Sequence, residues 1–319
     1  MRQYLLFLIV ILFSNNSYAQ LNIGKIIQFP NERNYTTLHG NDSLILLYDW
    51  TSTIFQVVNL KNNEIFEYEF KHGKGPLEIQ EVNDSKIVEN YIVIQDSKQA
   101  KLVLINLLNN SLSFEIATVF PYDKIAYNSF ENSIYMFSTH NKKMGTLNLS
   151  TLKIDNKNID LPNEYLIYHE NYNFDATDGY PFIMGNKIYS HIFKYPKIIE
   201  LQTFKKTEFK YAKKEVNIKN VDIRKGINAS IIRSNVVEFK ASDYSVFKDT
   251  YIIIVAKGEY DKEVFSNNGV YIINIKNSLV NYLEMPSQIK GVHCTTENLY
   301  YLTIENSLEY ISFKELNMN

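Results

Sequence analysis

Asn90-Tyr91-Ile92-Val93-Ile94 is an asparagine followed at once by a strand-like apolar run, and the same arrangement returns along the chain. It appears as Asp42-Ser43-Leu44-Ile45-Leu46-Leu47, Asn132-Ser133-Ile134-Tyr135-Met136-Phe137, Asn186-Lys187-Ile188-Tyr189, Asp249-Thr250-Tyr251-Ile252-Ile253-Ile254 and Asn298-Leu299-Tyr300-Tyr301-Leu302. The differences 90−42, 132−90, 186−132, 249−186 and 298−249 are 48, 42, 54, 63 and 49. Units of about 40–50 residues built from several short strands mark a β-propeller. Asn and Asp suit the turns because their short side chains tolerate left-handed backbone and bond their own main chain.

The units share more than their first run. A second run closes on Asn and an apolar residue, as in Val57-Val58-Asn59-Leu60, Leu104-Ile105-Asn106-Leu107, Thr146-Leu147-Asn148-Leu149 and Ile272-Ile273-Asn274-Ile275. A third run alternates apolar and polar residues, as in Ile65-Phe66-Glu67-Tyr68-Glu69-Phe70, which fits a strand with one wet face. The expected fold is all-β: a six-bladed β-propeller of four-stranded antiparallel blades. The last unit runs out after Phe313, whereas Ile23-Gly24-Lys25-Ile26-Ile27-Gln28-Phe29 is a strand without a unit. Pairing the second into the first would complete the sixth blade and remove an open edge.

Residues 1–19 read as a secretory signal: Arg2, an apolar core over residues 5–13, and Ser17-Tyr18-Ala19 before the cleavage point. That core is shorter than the ~20 apolar residues a membrane span needs. No cysteine follows it for a lipid anchor, so the expectation is an exported, soluble chain, periplasmic or extracellular, with residues 20–319 forming one propeller domain. Cys294 is the single cysteine, so no internal disulfide exists and the core must carry the fold; 45% hydrophobic residues supply one. With 33 basic and 35 acidic residues the chain lacks the basic excess of a nucleic-acid binder.

Between the first two units stands His72-Gly73-Lys74-Gly75-Pro76-Leu77-Glu78-Ile79. Here the chain resembles a six-bladed β-propeller family of secreted bacterial proteins that carries G-x-G-P-G-E-F before a blade's inner strand. Gly73, Gly75, Pro76 and Glu78 match; Leu77 stands for the third glycine and Ile79 for the phenylalanine. The resemblance implies the fold and no defined activity. Physically, the glycines suggest positive φ at Gly75, and Glu78 suggests a cap on backbone amides or a pair with Lys74. A turn that sets blade spacing and a ligand loop using His72, Lys74 and Glu78 are both consistent with these residues.

Catalytic patterns are missing. None of His39, His72, His140, His169, His191 and His293 has a metal-ligand spacing, and no G-x-S-x-G elbow occurs. His293 and Cys294 are strand neighbours and point apart. Asp49 and Asp96 end equivalent strands, where carboxylates either cap turns or hold Ca²⁺. Two connections are rich in binding chemistry: residues 205–240, with Lys213, Lys214, Arg224 and Lys225, and residues 165–180, with several tyrosines ending at Tyr180. A long hairpin over residues 257–263 adds Tyr260. The expected function is an exported, non-catalytic binding or scaffold propeller for a protein or carbohydrate partner; the alternative is a propeller hydrolase or lyase assisted by a divalent cation.

Overall fold

A computed structural model of the protein describes residues 22–109, 112–138, 143–158, 179–192, 197–203, 205–208, 221–225, 230–234, 240–260, 263–265, 269–316 and 318. Strand β1 (Ile23–Gln28) comes first. Blade 1 follows as β2 (Tyr35–Gly40), β3 (Leu44–Asp49), β4 (Ile54–Asn59) and β5 (Ile65–Glu69). Blade 2 is β6 (Asp84–Val88), β7 (Tyr91–Asp96), β8 (Lys101–Asn106) and β9 (Phe114–Ala117). Blade 3 is β10 (Lys124–Asn128), β11 (Ser133–Ser138), β12 (Lys143–Asn148) and β13 (Lys153–Asn158). Blade 4 is β14 (Gly179–Met184), β15 (Lys187–Ile192), β16 (Lys197–Glu200) and β17 (Lys206–Glu208). A separate hairpin, β18 (Val221–Lys225) and β19 (Ser230–Ser234), precedes blade 5. Blade 5 contains β20 (Lys240–Phe247), β21 (Tyr251–Tyr260), β23 (Gly269–Asn274) and β24 (Leu279–Glu284), with β22 (Glu263–Phe265) pairing on the extended end of β21 as a fifth strand. Blade 6 is β25 (Ile289–Cys294), β26 (Asn298–Thr303) and β27 (Ser307–Ser312), and β1 lies beside β27.

All these pairs are antiparallel, and the inner strands β2, β6, β10, β14, β20 and β25 neighbour one another in that order, with β25 returning to β2. The protein is a six-bladed β-propeller. The antiparallel alternation fixes two ends of the ring. Turns between first and second strands, and between third and fourth, lie at one end (the turn end). Links between blades lie at the other (the link end).

The recurring Asn and Asp residues sit in the turns that join the first and second strands. Asn132 and Asp249 are themselves left-handed, with φ of 46° for both. At two other turns the preceding residue takes that conformation, Glu89 at 52° and Gly185 at 60°. The second Asn of each unit caps the turn after the third strand. Asn106 Oδ1 accepts from the Leu108 and Asn109 amides, Asn148 Oδ1 from Ser150 and Thr151, and Asn274 Oδ1 from Lys276 and Asn277. The apolar residue after it donates its amide to the other turn: Leu60 to Ser43, Leu107 to Asn90, Leu149 to Asn132 and Ile275 to Thr250. The Asn–apolar pair therefore recurs because blades 1, 2, 3 and 5 use it to tie their two turns together.

Hydrophobic cores lie in the seams between blades. Blades 6 and 1 enclose Phe29, Tyr35, Leu38, Leu47, Leu302 and Leu308; blades 1 and 2 enclose Tyr48, Phe55, Ile79, Ile92 and Ile94. β1 is locked in place by its neighbours. The Phe29 amide donates to Asn306 O at 2.9 Å, and Asn306 Nδ2 donates to the carbonyls of Pro30 and Arg33 at 3.0 and 2.8 Å. Gly24 packs so closely on Tyr310 that a Cβ there would lie 2.1 Å from the ring. Asn306 is 2% exposed, and Asn306→Ala takes the side-chain donor from Arg33 O, the acceptor from Lys290 Nζ and puts alanine at a φ of 60°, so it is expected to cost about 2 kcal/mol, read as a lower urea midpoint at an unchanged m-value.

Candidate functional site

The inner strands bring ionisable side chains together on the ring axis. Asp84 and Lys86 come from β6, His39 from β2, Asp243 and Tyr244 from β20, and His293 from β25. Lys86 Nζ donates to His39 Nε2 at 2.6 Å and lies 3.6 Å from Asp84 Oδ1. It also stands 5.5 Å from the centre of the Tyr244 ring, so it reaches across the axis from blade 2 to blade 5. Two aspartates tie blades together: Asp84 Oδ2 accepts the Ile125 amide at 2.9 Å, and Asp243 Oδ2 accepts the Val292 amide at 2.9 Å. Ser245 Oγ accepts the Cys294 amide at 2.8 Å, and His293 Nε2 donates to Asn41 O at 3.1 Å. Gly291 makes the approach possible, since a Cβ there would lie 2.6 Å from Asp243 Oδ2.

Burial sets the charges. It raises the carboxyl of Asp243, 5% exposed, to about 7, against the pull of the Val292 amide and Lys86. Burial lowers His39 well below the usual histidine range, and the Lys86 charge lowers it further. Burial likewise lowers His293 to about 4 and moves Lys86 below the usual lysine range, although Asp84 and Asp243 oppose the latter. Cys294 is raised by burial to about 12, which leaves it an unreactive thiol at neutral pH.

Above this network is a cavity of about 520 Å³. Its lining comes from the second half of all six inner strands and from the adjoining turns: His39, Lys86, Tyr127, Phe182, Tyr244 and His293 inside, with Asn41, Asp42, Glu89 and Ser129 at the mouth. It opens at the turn end of the ring.

The motif loop lies at the link end and is braced from several sides. Glu78 Oε2 accepts the Gly75 amide at 2.7 Å, rather than pairing with Lys74. Gln99 Nε2 donates to the Gly73 and Glu78 carbonyls at 3.0 Å each, Lys101 Nζ to Gly75 O at 3.3 Å, and the Leu77 amide to Glu115 Oε2 at 3.0 Å. The expected positive φ at Gly75 is corrected here. The left-handed residue is Leu77, with φ of 58°, where the G-x-G-P-G-E-F pattern has its third glycine. Gly73 and Gly75 leave room for the Glu78 carboxylate, which a Cβ on either would meet at 2.1 and 2.9 Å. His72 bridges to Ile79 and lines a small cleft with Tyr48 and Phe70.

Asp49 and Asp96 are engaged in turns. Burial raises Asp49, but bonds from Ser52, Thr51 and the Asn34 amide outweigh it and hold the carboxyl at about 2. Asp96 accepts from the Gln80 amide and from Gln99. Among the described residues no group of three or more His, Cys, Asp or Glu is arranged to hold a metal ion. Tyr180 pairs with His191 in register, Arg224 with Ile231, Lys225 with Ser230, and Tyr260 with Glu263. Lys213, Lys214 and the tyrosine-rich segment before residue 179 lie outside the described residues.

Sequence reading identified none of the axial residues except His39 and His293 as histidines. One pattern does mark them: Asp84 and Asp243 both stand six residues before their turn residue, 90−84 and 249−243. They occupy equivalent places in blades 2 and 5, three positions apart in a ring of six, and so face each other.

No protein-family model matches the chain, and no curated protein matches it. Solved structures do. A structural-genomics protein of unknown function from Bacteroides thetaiotaomicron is 10% identical, with 91% of this chain and 75% of that one covered at a TM-score of 0.57. A putative exported protein from Bacteroides fragilis is 10% identical over 93% and 95% of the two chains, with a TM-score of 0.55. Virginiamycin B lyase from Staphylococcus aureus is 10% identical over 92% and 99%, with a TM-score of 0.52. At this identity the likenesses show the fold. Among the described residues no helix is long and apolar enough to cross a membrane.

The axial charges make stability depend on pH in a separable way. From about pH 4 to 7 the unfolded chain gives up the Asp243 proton while the folded chain keeps it, so this contribution to stability falls as pH rises. His293 works oppositely between about pH 4 and 6.5, where the unfolded chain takes a proton the folded chain refuses, and His39 acts in the same sense. Asp243→Asn removes the falling contribution. Its stability is expected to climb more steeply than wild type from pH 4 to 6.5, by up to about 1.4 kcal/mol per pH unit. Parallel urea-denaturation profiles for the two proteins would mean that Asp243 ionises like an ordinary aspartate.

Proposed function

We propose that this chain is an exported, non-catalytic binding propeller whose ligand enters the axial cavity from the turn end of the ring. The observation that carries the reading is the cavity itself: about 520 Å³, lined by all six inner strands, with a floor whose ionisable groups are already bonded to neighbouring blades. A site built this way is rigid before the ligand arrives, which limits the ordering cost of binding. Tyr127 offers aromatic surface; Asn41, Asp42, Glu89 and Ser129 offer hydrogen bonds at the mouth. This combination suits a polar ring such as a sugar unit, either free or at the end of a polymer. Export is supported by the apolar run over residues 5–13 behind Arg2.

A specific contact favours binding over cation-assisted hydrolysis or lysis. Asp84 and His39 converge on the ammonium of Lys86, so the protein's own cation already engages the axial ligands a metal would use.

The test is a thermal-shift screen of envelope oligosaccharides against wild type and Ser129→Trp, which fills the mouth from an exposed position. A ligand at about a hundredfold its Kd should stabilise wild type by about 2.7 kcal/mol and leave Ser129→Trp unaffected. If Ser129→Trp responds fully while a Lys213, Lys214, Arg224 and Lys225 alanine variant does not, the ligand binds through those basic residues and the axial reading is wrong.

A further inference from the structure

The floor of the cavity holds a primary amine in an environment unlike that of a surface lysine. The Lys86 side chain is 14% exposed and lines the cavity, so its amine is largely desolvated yet within reach of a small molecule. His39 Nε2, 2.6 Å away, accepts from it and is itself a neutral imidazole. Asp84 Oδ1, at 3.6 Å, places a negative charge beside the nitrogen. The charged and titratable groups around Lys86 are thus Asp84 on its own strand, His39 on β2, Asp243 on β20, His293 on β25 and Lys124 on β10.

We propose that Lys86 is a nucleophilic amine that captures small aldehydes or ketones in the axial cavity as a reversible imine. This inference rests on the axial cavity being the ligand site. The chemistry requires a free amine, a nearby proton acceptor and space for the carbonyl compound. The Lys86 ammonium first releases a proton to solvent, and the neutral amine reacts. Its Nζ lone pair attacks the carbonyl carbon, and one of its two protons passes by way of His39 Nε2 to the carbonyl oxygen, giving a neutral carbinolamine with one N–H. Loss of the hydroxyl with that last nitrogen proton releases one water and leaves a C=N bond. Nothing is oxidised or reduced. Protonation of that nitrogen yields an iminium cation, which the Asp84 carboxylate stabilises as it does the ammonium. Burial, which lowers the Lys86 amine below the usual lysine range, increases the fraction of free amine at neutral pH.

The experiment treats the full chain at pH 7 with glycolaldehyde, reduces the product with borohydride and maps the modified lysines by peptide mass spectrometry. Lys86 should be labelled about tenfold faster than exposed Lys61 and Lys153. His39→Gln keeps the amine but removes the proton acceptor, and should bring Lys86 down to the surface rate. Lys86→Arg keeps a cation on the axis and should lose the adduct while still melting cooperatively. Labelling of Lys86 no faster than Lys61 and Lys153 overturns the proposal, as does an unchanged rate in His39→Gln. Slow Lys86 labelling combined with oligosaccharide stabilisation that Ser129→Trp abolishes would remove the imine and leave the binding reading intact. Fast Lys86 labelling that persists in Ser129→Trp would instead remove the turn-end route to the cavity.

Discussion

A β-sheet has two faces, and a blade of four short strands cannot bury either one alone. The ring is the solution: each face is covered by the blade next to it. The constraint is that the covering holds all round only if the last blade meets the first. That junction is made by β1, which adds the outer strand to blade 6 and then runs directly into blade 1. Phe29, at the end of β1, is 3% exposed in the seam between those two blades, so the same segment supplies both a strand edge and a core side chain. With Cys294 the single cysteine, closure relies on such contacts without a covalent tie between the blades.

Bringing six inner strands to one axis exposes their unpaired edges to each other. Their backbone amides need acceptors that no sheet provides. Side chains supply them: Asp84 for Ile125, Asp243 for Val292 and Ser245 for Cys294. The polar axis is therefore first a structural requirement, and the cavity above it inherits lysine, histidine and carboxyl groups held in fixed positions. Structure and chemistry coincide there because Ser245 and His293, which join blades, also line the open space.

The fold was legible because blades 1, 2, 3 and 5 repeat a local solution. An Asn caps a turn and the next residue's amide returns to the neighbouring turn, and this needs the same residue types in the same order each time. The pairing of Ile23–Gln28 with the last blade followed from a strand without a unit facing a unit without a strand. The axial site was hidden for the opposite reason. It takes one or two residues from each of several inner strands, and these differ from blade to blade because their partners differ. Only the shared offset of Asp84 and Asp243 repeats. The motif loop misled in a more instructive way: its glycines indicated backbone freedom, whereas two of them make room for the Glu78 carboxylate and the left-handed position belongs to Leu77.

The position of β1 also bears on how the chain reaches its native state. Ile23 pairs with Ile311, a separation of 311−23 = 288 residues. A chain synthesised or threaded through a pore from its N-terminus presents β1 first and β27 last. Blades 1 to 5 can assemble as their strands emerge, but the ring stays an open arc, with the seam between blades 6 and 1 uncovered, until the final strands arrive. Contacts of such long range close slowly, since the entropy of the loop is lost before the contact is gained. The first strand thus serves as a latch set at the start of the chain and thrown only at its end.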